Sequence, residues 1–370
     1  MTANHASHFM KAALALVLIT AGCGGDALDF RPPEPPVCAA GAIDGDPLIL
    51  FNWPDYIDPE TVSLFERRYG IRVEQRFYQS NESMLSEIQA SAAAYDVIVP
   101  SEYMVDIMRR YDLLLPLDPI ALPGRINLDP LFDQAPFDPD NAFSVPYLWG
   151  TFGIGVNLNV VGPETMPSWG LIFDPDTASR FAGRISLLDE PRQTMAVALI
   201  YLGLSPNTRR REEIKAAAEL IAAANANLAG FQSDDYARDL ADGALDVAHG
   251  RSDIFFRAFE ESSSDYRYLL PEEGTIAWVD NMAIPITAAH PCTAHAFIDF
   301  VLEARNGAAL ANFTRHASPN LAAVEFIDIE ILGNPAIYPP SAARDTFEFL
   351  VDTEDLELVY VDEFFRAQGS

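Results

Sequence analysis

The feature that most constrains the fold is a regular alternation of apolar strand patterns and amphipathic helix patterns between residues 48 and 99. Asp58 followed by Pro59 is typical of a helix start, and Gly70 is typical of a helix end. The order β-α-β-α-β predicts a parallel sheet with crossover helices. The predicted elements are a strand at 48–51, a helix at 58–70, a strand at 71–77, a helix at 84–88 and a strand at 96–99.

Polar and aromatic side chains follow the first and third predicted strands. Trp53, Asp55 and Tyr56 come after the first strand, and Ser101 and Tyr103 come after the third. In parallel α/β sheets, ligands bind just beyond the carboxyl ends of the strands, so both segments are candidate ligand contacts. Loop aromatics at these positions also cover the apolar edge of a sheet, and either segment alone is compatible with that structural role.

Two long extended runs, at 145–157 and 275–285, divide the rest of the chain. An α/β stretch from about residue 185 to 270 lies between them and includes an Ala-rich helix at 211–224. We expect these runs to carry the chain from one lobe to another and back. Gly150, Gly153 and Gly155 lie inside the first run rather than between a strand and a helix, so they form no dinucleotide fingerprint. Thr293 is predicted to cap the helix that follows the second run.

The N-terminus carries the pattern of an export signal. Lys11 is followed by an apolar run from residue 12 to 21 and then by Gly22 and Cys23, and this run is too short to span a bilayer as a mature helix. The small residues before Cys23 resemble a bacterial lipoprotein cleavage site, although Thr20 stands where leucine is usual; ordinary cleavage nearby is the alternative. We expect a signal peptide at 1–22, followed by a lipid anchor at Cys23 and a Pro-rich tether within 23–43.

Cys38 and Cys292 are the cysteines that remain beyond Cys23. Disulfides persist in the compartments to which exported proteins are delivered, so these two residues are candidates for a bridge. Two unrelated thiols would look the same in the sequence, and both alternatives stay open.

The chain is strongly acidic, with 54 Asp and Glu residues against 24 Lys and Arg residues and a formal net charge of -30. This balance disfavours contact with nucleic acid or an anionic membrane surface and favours a cationic partner. A solvated surface accounts for the same charge, so the net charge by itself does not indicate a binding site.

No catalytic motif accompanies these features. The sequence contains no GxxxxGK[ST], HExxH or GxSxG pattern, and its histidines are scattered without cysteine partners at zinc spacing. Aromatic residues instead stand beside carboxylates, as Trp53 does beside Asp55 and Trp278 beside Asp280. Aromatic faces attract an alkylammonium ion and a carboxylate bonds it; in an extended strand, Trp278 and Asp280 point to the same face. The pattern therefore favours amine binding over catalysis.

At these residues the sequence resembles the periplasmic spermidine and putrescine binding proteins, over nearly the whole mature chain. The resemblance implies an α/β, two-lobed periplasmic-binding-protein fold of type II, with crossing strands near Gly150 and Met282 as its hinge. It also implies that a polyamine is bound in the cleft and delivered to a membrane permease driven by an ATPase. The matching stretches are FNWPDYIDPETVSLFERRYGIRV, YQSNESMLSEI, YDVIVPSEYMVDIMR, FDPDNAFSVPYLWGTFGIGVN, EEGTIAWVDNMAIP and SPNLAA.

The resemblance implies a binding site built from aromatic rings, one serine and carboxylates of both lobes. Asp55 lies within the first matching stretch, beside the first aromatic residues. The implied members are an aromatic box of Trp53, Tyr56, Tyr103 and Trp278, the serine Ser101, Asp280 as the acid that takes a charged nitrogen, and Glu190 as an acid of the second lobe.

Four positions depart from the family pattern. Gln193 stands where many members have Glu, Arg251 stands where Trp or Tyr is usual, and His316 replaces a tyrosine. Asp253 matches an acid of the family only if one residue is missing. An arginine that faces a polycation would repel it. Either Arg251 turns outward or pairs with Glu190 or Asp253, or the ligand carries a carboxylate beside its amine.

We therefore expect an extracytoplasmic solute-binding protein that captures putrescine or spermidine for an ABC importer. Lobe 1 is predicted at 44–150 plus 282–370, and lobe 2 at 151–281. The alternatives are a binder of a carboxylated or amino-acid-like amine and an amine sensor that does not transport; an enzyme is not expected. The expected partners are the amine and an ABC permease and ATPase complex, without nucleic acid, metal or organic cofactor. We expect a monomer that touches the membrane only through its lipid anchor.

Overall fold

The computed structural model describes residues 34–90, 94–260 and 265–369. The predicted signal peptide, the predicted lipidation site at Cys23 and the first part of the tether lie outside these residues. Within the described ranges, no helix combines the length and the apolar character that crossing a membrane requires.

The predicted β-α-β-α-β order is confirmed for residues 48 to 98. Its three strands pair in parallel, with the first strand between the second and the third. The first and third strands are almost entirely buried, as expected for a parallel sheet covered on both faces. The elements are β1 (Leu48–Asn52), α1 (Pro59–Tyr69), β2 (Val73–Phe77), α2 (Asn81–Ala90) and β3 (Val97–Ile98).

Helix α1 begins and ends where its sequence signals indicate. The Asp58 carboxylate accepts a hydrogen bond from the backbone N–H of Thr61 at 3.0 Å and so satisfies one free donor of the first turn. Gly70 follows the last turn with a φ of 71°, in the left-handed region that glycine adopts without steric cost.

Seven further strands extend the sheet. They are β4 (Ser144–Asn157), β5 (Ile185–Leu187), β6 (Leu228–Phe231), β7 (Val247–Arg251), β8 (Tyr266–Leu269), β9 (Thr275–Ala283) and β10 (Phe347–Phe349). The order is β2-β1-β3-β9-β4-β7-β5-β6, with β10 beside β9 and β8 beside β4. Strand β9 is antiparallel to both β3 and β4, and β5 is parallel to both β6 and β7, so two parallel units flank an antiparallel centre.

Strands β4 and β9 are the two long runs predicted from the sequence, and they connect the two parallel units. Residues 144–151 of β4 pair with β9, while residues 152–157 pair with β7 and β8. Every residue of β9 and all but the last residue of β4 are buried. The chain therefore passes twice through the middle of the molecule, and the residues at the crossing lie close to both units.

The remaining helices surround the sheet. The α-helices are α3 (Glu102–Arg110), α4 (Leu158–Val161), α5 (Gly170–Phe173), α6 (Pro175–Ala178), α7 (Pro191–Tyr201), α8 (Arg211–Ala224), α9 (Tyr236–Ala241), α10 (Ser252–Glu260), α11 (Pro291–Val301), α12 (Ala304–Thr314), α13 (Ile329–Leu332), α14 (Ser341–Arg344) and α15 (Glu357–Gln368). Short 3-10 helices lie at Pro123–Asn127, Pro130–Phe132, Pro139–Asn141, Ser179–Phe181, Leu321–Phe326 and Glu354–Leu356.

Buried apolar side chains form three clusters. Two of them belong to the first parallel unit: one contains Phe65 of α1 packed edge-on against Phe297 of α11, and the other contains Met84 and Met104. The third surrounds β5, β7 and α7 and includes the fully buried Trp169. Burial of this much apolar surface is the main force that holds each unit together.

The C-terminal helix α15 packs in the third cluster. Tyr360 and Phe364 are fully buried there, against α7 and α8. The Tyr360 hydroxyl donates a hydrogen bond to the Thr208 carbonyl at 2.8 Å. The sequence predicts lobe 1 for all of 282–370, whereas this helix contacts helices of 151–281. Its apolar face is evident from the sequence, but the partner of that face depends on how the preceding loop runs.

The segment before β1 is fixed to helix α11. The prediction that Thr293 caps this helix is wrong, because the helix begins at Pro291. The carboxylate of Asp44 caps it from outside, accepting the backbone N–H groups of Cys292 and Thr293 at 3.1 and 2.9 Å. Cys38 forms a disulfide bond with Cys292, so the bridged alternative is the one that the structure shows.

Candidate functional site

Asp280 of β9 lies in a buried polar cluster just beyond the carboxyl ends of β1 and β3. It is 6% exposed. Its Oδ2 accepts a hydrogen bond from the Tyr56 hydroxyl at 2.7 Å, and its Oδ1 accepts one from the Ser101 hydroxyl at 2.6 Å. Burial raises the pKa of Asp280, and the positive charge of nearby Arg251 opposes that rise.

The two residues whose hydroxyl groups hold Asp280 are themselves held by neighbouring elements. Asn81, at the start of α2, donates its amide to the Ser101 hydroxyl at 3.1 Å and accepts the Ser101 backbone N–H at 3.1 Å. The Tyr147 hydroxyl of β4 donates to the Tyr56 carbonyl at 2.6 Å. The carboxylate therefore has a defined position before any ligand arrives, which lowers the ordering cost of binding.

Arg251, the last residue of β7, stacks its guanidinium on Trp278 of β9. The guanidinium carbon lies 4.1 Å from the centroid of the indole ring, and Nε donates to the Asp253 carboxylate at 3.0 Å. Burial alone would lower the pKa of Arg251, but the carboxylates of Asp253 and Asp280 raise it, so this side chain stays charged. Of the alternatives open from the sequence, the structure shows the pairing with Asp253.

Asp253, in the first turn of α10, accepts hydrogen bonds from three basic side chains. Its Oδ1 faces Arg251 at 3.0 Å, and its Oδ2 faces Arg257 and His316, each at 3.3 Å. Burial would raise the pKa of this 4% exposed residue, but Arg251, His316 and Arg257 together outweigh burial and hold the pKa well below its usual range. Both carboxylate oxygens are thus engaged by the protein.

His316 forms an aromatic wall of the cluster. Its ring packs edge-on against Tyr56 and Trp278, with ring centroids 5.4 and 5.5 Å apart. Nδ1 lies 2.6 Å from the Thr314 carbonyl oxygen, and Nε2 lies 3.3 Å from the Asp253 carboxylate. Both partners are acceptors, so the two hydrogen bonds form together when both ring nitrogens carry protons. The histidine keeps an aromatic face where the family has tyrosine and adds a donor.

Glu190 and Gln193 lie at the start of α7, on the other parallel unit. Both side chains are half-buried. Burial raises the pKa of Glu190, and the charge of Arg251 opposes the rise, which indicates that the two groups are near each other. Neither Glu190 nor Gln193 forms a side-chain hydrogen bond or ion pair with another residue in the described part of the chain, so the Glu190 carboxylate keeps its acceptor capacity.

Three predicted residues lie beside the cluster rather than within its hydrogen-bond network. The Trp53 indole N–H donates to the Val99 carbonyl at 3.0 Å, and the Tyr103 hydroxyl donates to Glu82 at 2.9 Å. Asp55 is exposed, in a turn where its φ is 53°. The predicted residues that the structure brings together are Tyr56, Ser101, Arg251, Asp253, Trp278, Asp280 and His316, with Glu190 close to Arg251.

Glu102 is a buried acid of this region that sequence reasoning does not find. It is 5% exposed, and its Oε2 accepts the backbone N–H of Val279, which lies between Trp278 and Asp280 in β9, at 3.0 Å. Burial raises the pKa of Glu102 to about 8. An acid in the first turn of a helix is usually a solvated residue that favours the helix dipole. The only indication in the sequence that Glu102 is not such a residue is its position between Ser101 and Tyr103, which are both predicted site residues.

The cluster has the chemistry to bind an amine. A carboxylate supplies charge-assisted hydrogen bonds to an ammonium group, and aromatic rings such as Tyr56 attract cations and pack methylene groups. The face of Trp278 already carries the guanidinium of Arg251. Within the described ranges, no group of three or more His, Cys, Asp and Glu residues could hold a metal ion. Two cavities of about 430 and 290 Å³ lie elsewhere and share no residue with the cluster.

The chain is similar over most of its length to known solute-binding proteins. The family model described as bacterial extracellular solute-binding protein matches residues 60–337. A spermidine/putrescine-binding periplasmic protein of Salmonella typhimurium is 33% identical, over 89% of this chain and 93% of that protein. A putrescine/cadaverine-binding protein of Pseudomonas aeruginosa is 35% identical, over 85% of this chain and 91% of that protein.

A solved structure is similar in fold as well as in sequence. It is a spermidine/putrescine ABC transporter substrate-binding protein from Streptococcus pneumoniae, with a TM-score of 0.81 and 30% sequence identity, and the match covers 88% of this chain and 99% of that chain. The predicted α/β fold class, the two-lobed type II periplasmic-binding-protein fold, is thereby confirmed.

Proposed function

The chain belongs to the bacterial extracellular solute-binding proteins, and from that membership we propose that it captures a polyamine, putrescine or spermidine, and delivers it to an ABC importer. The observation that carries the proposal is Asp280, a buried carboxylate that two hydroxyl groups hold among aromatic rings. A buried carboxylate is costly unless it is paired, and an ammonium group is the partner that completes this environment. The relatives bind spermidine, putrescine or cadaverine according to their names, which supports the ligand class.

We place the ligand between two lobes that β4 and β9 connect. Lobe 1 comprises residues 44–150 with 282–370 except helix α15, which packs with lobe 2 at 151–281. Asp280 and Tyr56 approach the ligand from one side, and Glu190 and Gln193 approach it from the other. The crossing strands near Gly150 and Met282 serve as the hinge. A ligand that contacts both lobes only in the closed state shifts the population toward closure.

The chain acts outside the cytoplasm, attached to the membrane by a lipid on Cys23 through the Pro-rich tether. Its partners are an ABC permease and ATPase complex, and it works as a monomer. The net charge of -30 opposes binding to nucleic acid. Catalysis is not part of the proposal, and neither is a metal or an organic cofactor.

One observation supports a second candidate, a carboxylated or amino-acid-like amine as the ligand. The guanidinium of Arg251 bonds Asp253 through Nε, and its two terminal nitrogens have no hydrogen-bond partner in the described part of the chain. Two parallel N–H groups are the usual partner of a carboxylate. The same site would also serve a sensor, which reports the bound amine to a receptor instead of delivering it to a permease. A receptor gene beside the gene of this protein would favour the sensor.

Thermal unfolding tests the proposed function. A ligand that binds only the folded state stabilises it by about 2.7 kcal/mol when present at 100 times its Kd. The full chain, purified in detergent, should therefore unfold at a higher temperature with putrescine or spermidine than without. Tetramethylammonium, a cation of fixed charge without N–H groups, is the control. No shift with any primary amine at millimolar concentration would contradict the proposal.

A further inference from the structure

Arg251 occupies the position that a ligand ammonium group would take in an aromatic and acidic site. Its guanidinium lies on the face of Trp278, 4.1 Å from the ring centroid, and it bonds the carboxylate of Asp253 at 3.0 Å. Attraction to an aromatic face and a charge-assisted hydrogen bond to a carboxylate are the two contacts by which a protein binds an alkylammonium ion. The chain itself therefore supplies one cation of the site.

This cation cannot be removed by a change of protonation, because arginine stays charged in proteins. Asp253, in turn, already has its cations within the protein and is not offered to an ammonium group of the ligand. One oxygen of Asp253 faces Arg251, and the other faces Arg257 and His316. Breaking a buried ion pair to admit a ligand would leave an uncompensated charge, which is strongly destabilising.

Of the acids that the sequence predicts for the site, two remain for a ligand. Asp280 bonds only the hydroxyl groups of Tyr56 and Ser101, which are neutral donors, so its charge has no hydrogen-bonded cation. Glu190, the residue before α7, has no side-chain partner within the described ranges and is near enough to Arg251 to be affected by its charge. Gln193, one turn further on, supplies an amide but no charge. The acidic groups therefore match two ammonium groups.

We infer that Arg251 is the residue that limits the length and charge of the ligand: it fills one ammonium subsite permanently, so the site selects a diamine over a triamine. One ammonium group of the diamine pairs with Asp280 and the other with Glu190, while the third nitrogen of a triamine meets the guanidinium. The inference rests on the proposed function, because it specifies which member of the amine class the same site takes.

Calorimetric titration of the full chain with putrescine and with spermidine measures this selectivity without any substitution. We expect putrescine to bind on the order of 10- to 100-fold more tightly than spermidine, because a third ammonium group beside Arg251 places like charges together. Tighter binding of spermidine would overturn the inference and leave the proposed function intact. Absence of heat and of thermal stabilisation with both amines would overturn the proposed function itself.

Substitutions at Arg251 then attribute the selectivity to this residue. In Arg251→Gln the charge is lost, and the preference for putrescine over spermidine should fall by about tenfold or more. In Arg251→Lys the charge is kept, and the preference should be retained. Equal preferences in the wild type and in Arg251→Gln would contradict the inference.

Arg238 provides the matched control. It also pairs with an aspartate, Asp235 at 2.7 Å, but its side chain is 66% exposed, and Arg251 rather than Arg238 covers the Trp278 ring. We expect Arg238→Gln to leave the ratio of the two affinities unchanged. A titration with 4-aminobutanoate tests the remaining alternative, a ligand that carries a carboxylate beside its amine. Tight binding to the wild type that is lost in Arg251→Gln would show that the arginine binds a carboxylate, and the diamine inference would be wrong.

Discussion

At the scale of single residues, the site contains two buried carboxylates that differ in their partners. Asp253 is neutralised by the protein, whereas Asp280 is bonded only by hydroxyl groups. On our proposal this difference gives them different roles: Asp253, which already has its cations, is structural, and Asp280, which lacks one, binds the ligand.

Asp280→Asn removes the charge and keeps the shape. We expect the affinity for putrescine to fall by about 2 to 5 kcal/mol, on the order of 30-fold to several thousand-fold, because the bound ammonium group would lose its ionised partner. Calorimetric titration checks the change. Asp55→Asn is the control, because Asp55 is exposed and lies outside the hydrogen-bond network of Asp280. Normal binding by Asp280→Asn would show that this carboxylate is structural.

Glu102 makes stability depend on pH. Because burial raises its pKa from the ordinary 4.5 to about 8, the folded state holds this proton to a higher pH than the unfolded chain does. Its contribution is fully present below about pH 4.5 and is lost as the pH rises through about 8. In Glu102→Gln the side chain cannot ionise but keeps an oxygen for the Val279 N–H. The variant should therefore lose less stability than the wild type as the pH rises.

We expect the free energy of unfolding of Glu102→Gln, relative to the wild type, to increase by on the order of 3 kcal/mol between about pH 5 and pH 9. Denaturant titrations at the two pH values measure it. Glu60→Gln, at an exposed position in the first turn of α1, serves as the reference variant. A constant difference between Glu102→Gln and the wild type would contradict the proposed burial of this acid.

The sequence predicts some of these residues and not others, for reasons of geometry. Trp278 and Asp280 are two apart in a strand, so their common side follows from the pleat. The pairing of Arg251 with Asp253 involves the turn from β7 into α10, and the sequence leaves several partners open. Burial of Glu102 is not predictable from its local pattern, because its acceptor role depends on β9, about 180 residues away.

At the scale of elements, the crossing of β4 and β9 positions the indole of Trp278. Gly150 of β4 pairs with Trp278 of β9, and a Cβ built on this glycine would lie 2.5 Å from the indole ring. The ring therefore lies directly on the backbone of β4, with its opposite side available to Arg251. A glycine is required here because of this close approach rather than because of its backbone angles.

Gly150→Ala should displace Trp278 and loosen the stacking of Arg251. We expect a loss of about 1 to 3 kcal/mol in the free energy of unfolding, together with weaker amine binding. Chemical denaturation followed by tryptophan fluorescence measures the first effect and calorimetry the second. Gly230→Ala, on β6, is a suitable comparison because a Cβ there would have no neighbour within 4 Å. Unchanged stability and affinity in Gly150→Ala would disprove the close packing.

The alternation of strands and helices in the first hundred residues is predictable because each element carries its own period and end signals, as Asp58 and Gly70 do for α1. Contacts between distant elements are not local properties. The packing of α15 against α7 and α8, and the capping of α11 by Asp44, arise only when the chain is folded. Local signals therefore predict elements better than they predict which elements meet.

At the scale of the whole molecule, the N-terminal segment is tied to the folded body. The disulfide between Cys38 and Cys292 joins the segment before β1 to α11, and the backbone N–H of Cys38 bonds the Asp118 carboxylate at 3.0 Å. The described residues before β1 are therefore fixed to the first parallel unit.

Lipidation at Cys23 is tested by partition between detergent and water after expression in a bacterium that processes lipoproteins. We expect the native chain to enter the detergent phase, because acyl chains are added to the cysteine, and Cys23→Ala to stay in the aqueous phase. If both proteins remain in the aqueous phase, the lipid anchor is refuted.

The central claim is that the Asp280 cluster binds the ammonium group of an amine. A crystal structure of the chain with putrescine tests it most directly. The account predicts one nitrogen of putrescine within about 3 Å of the Asp280 carboxylate, with the methylene chain against the aromatic rings. Putrescine bound elsewhere, with Asp280 bonded only to Tyr56 and Ser101 as it is now, would contradict the claim.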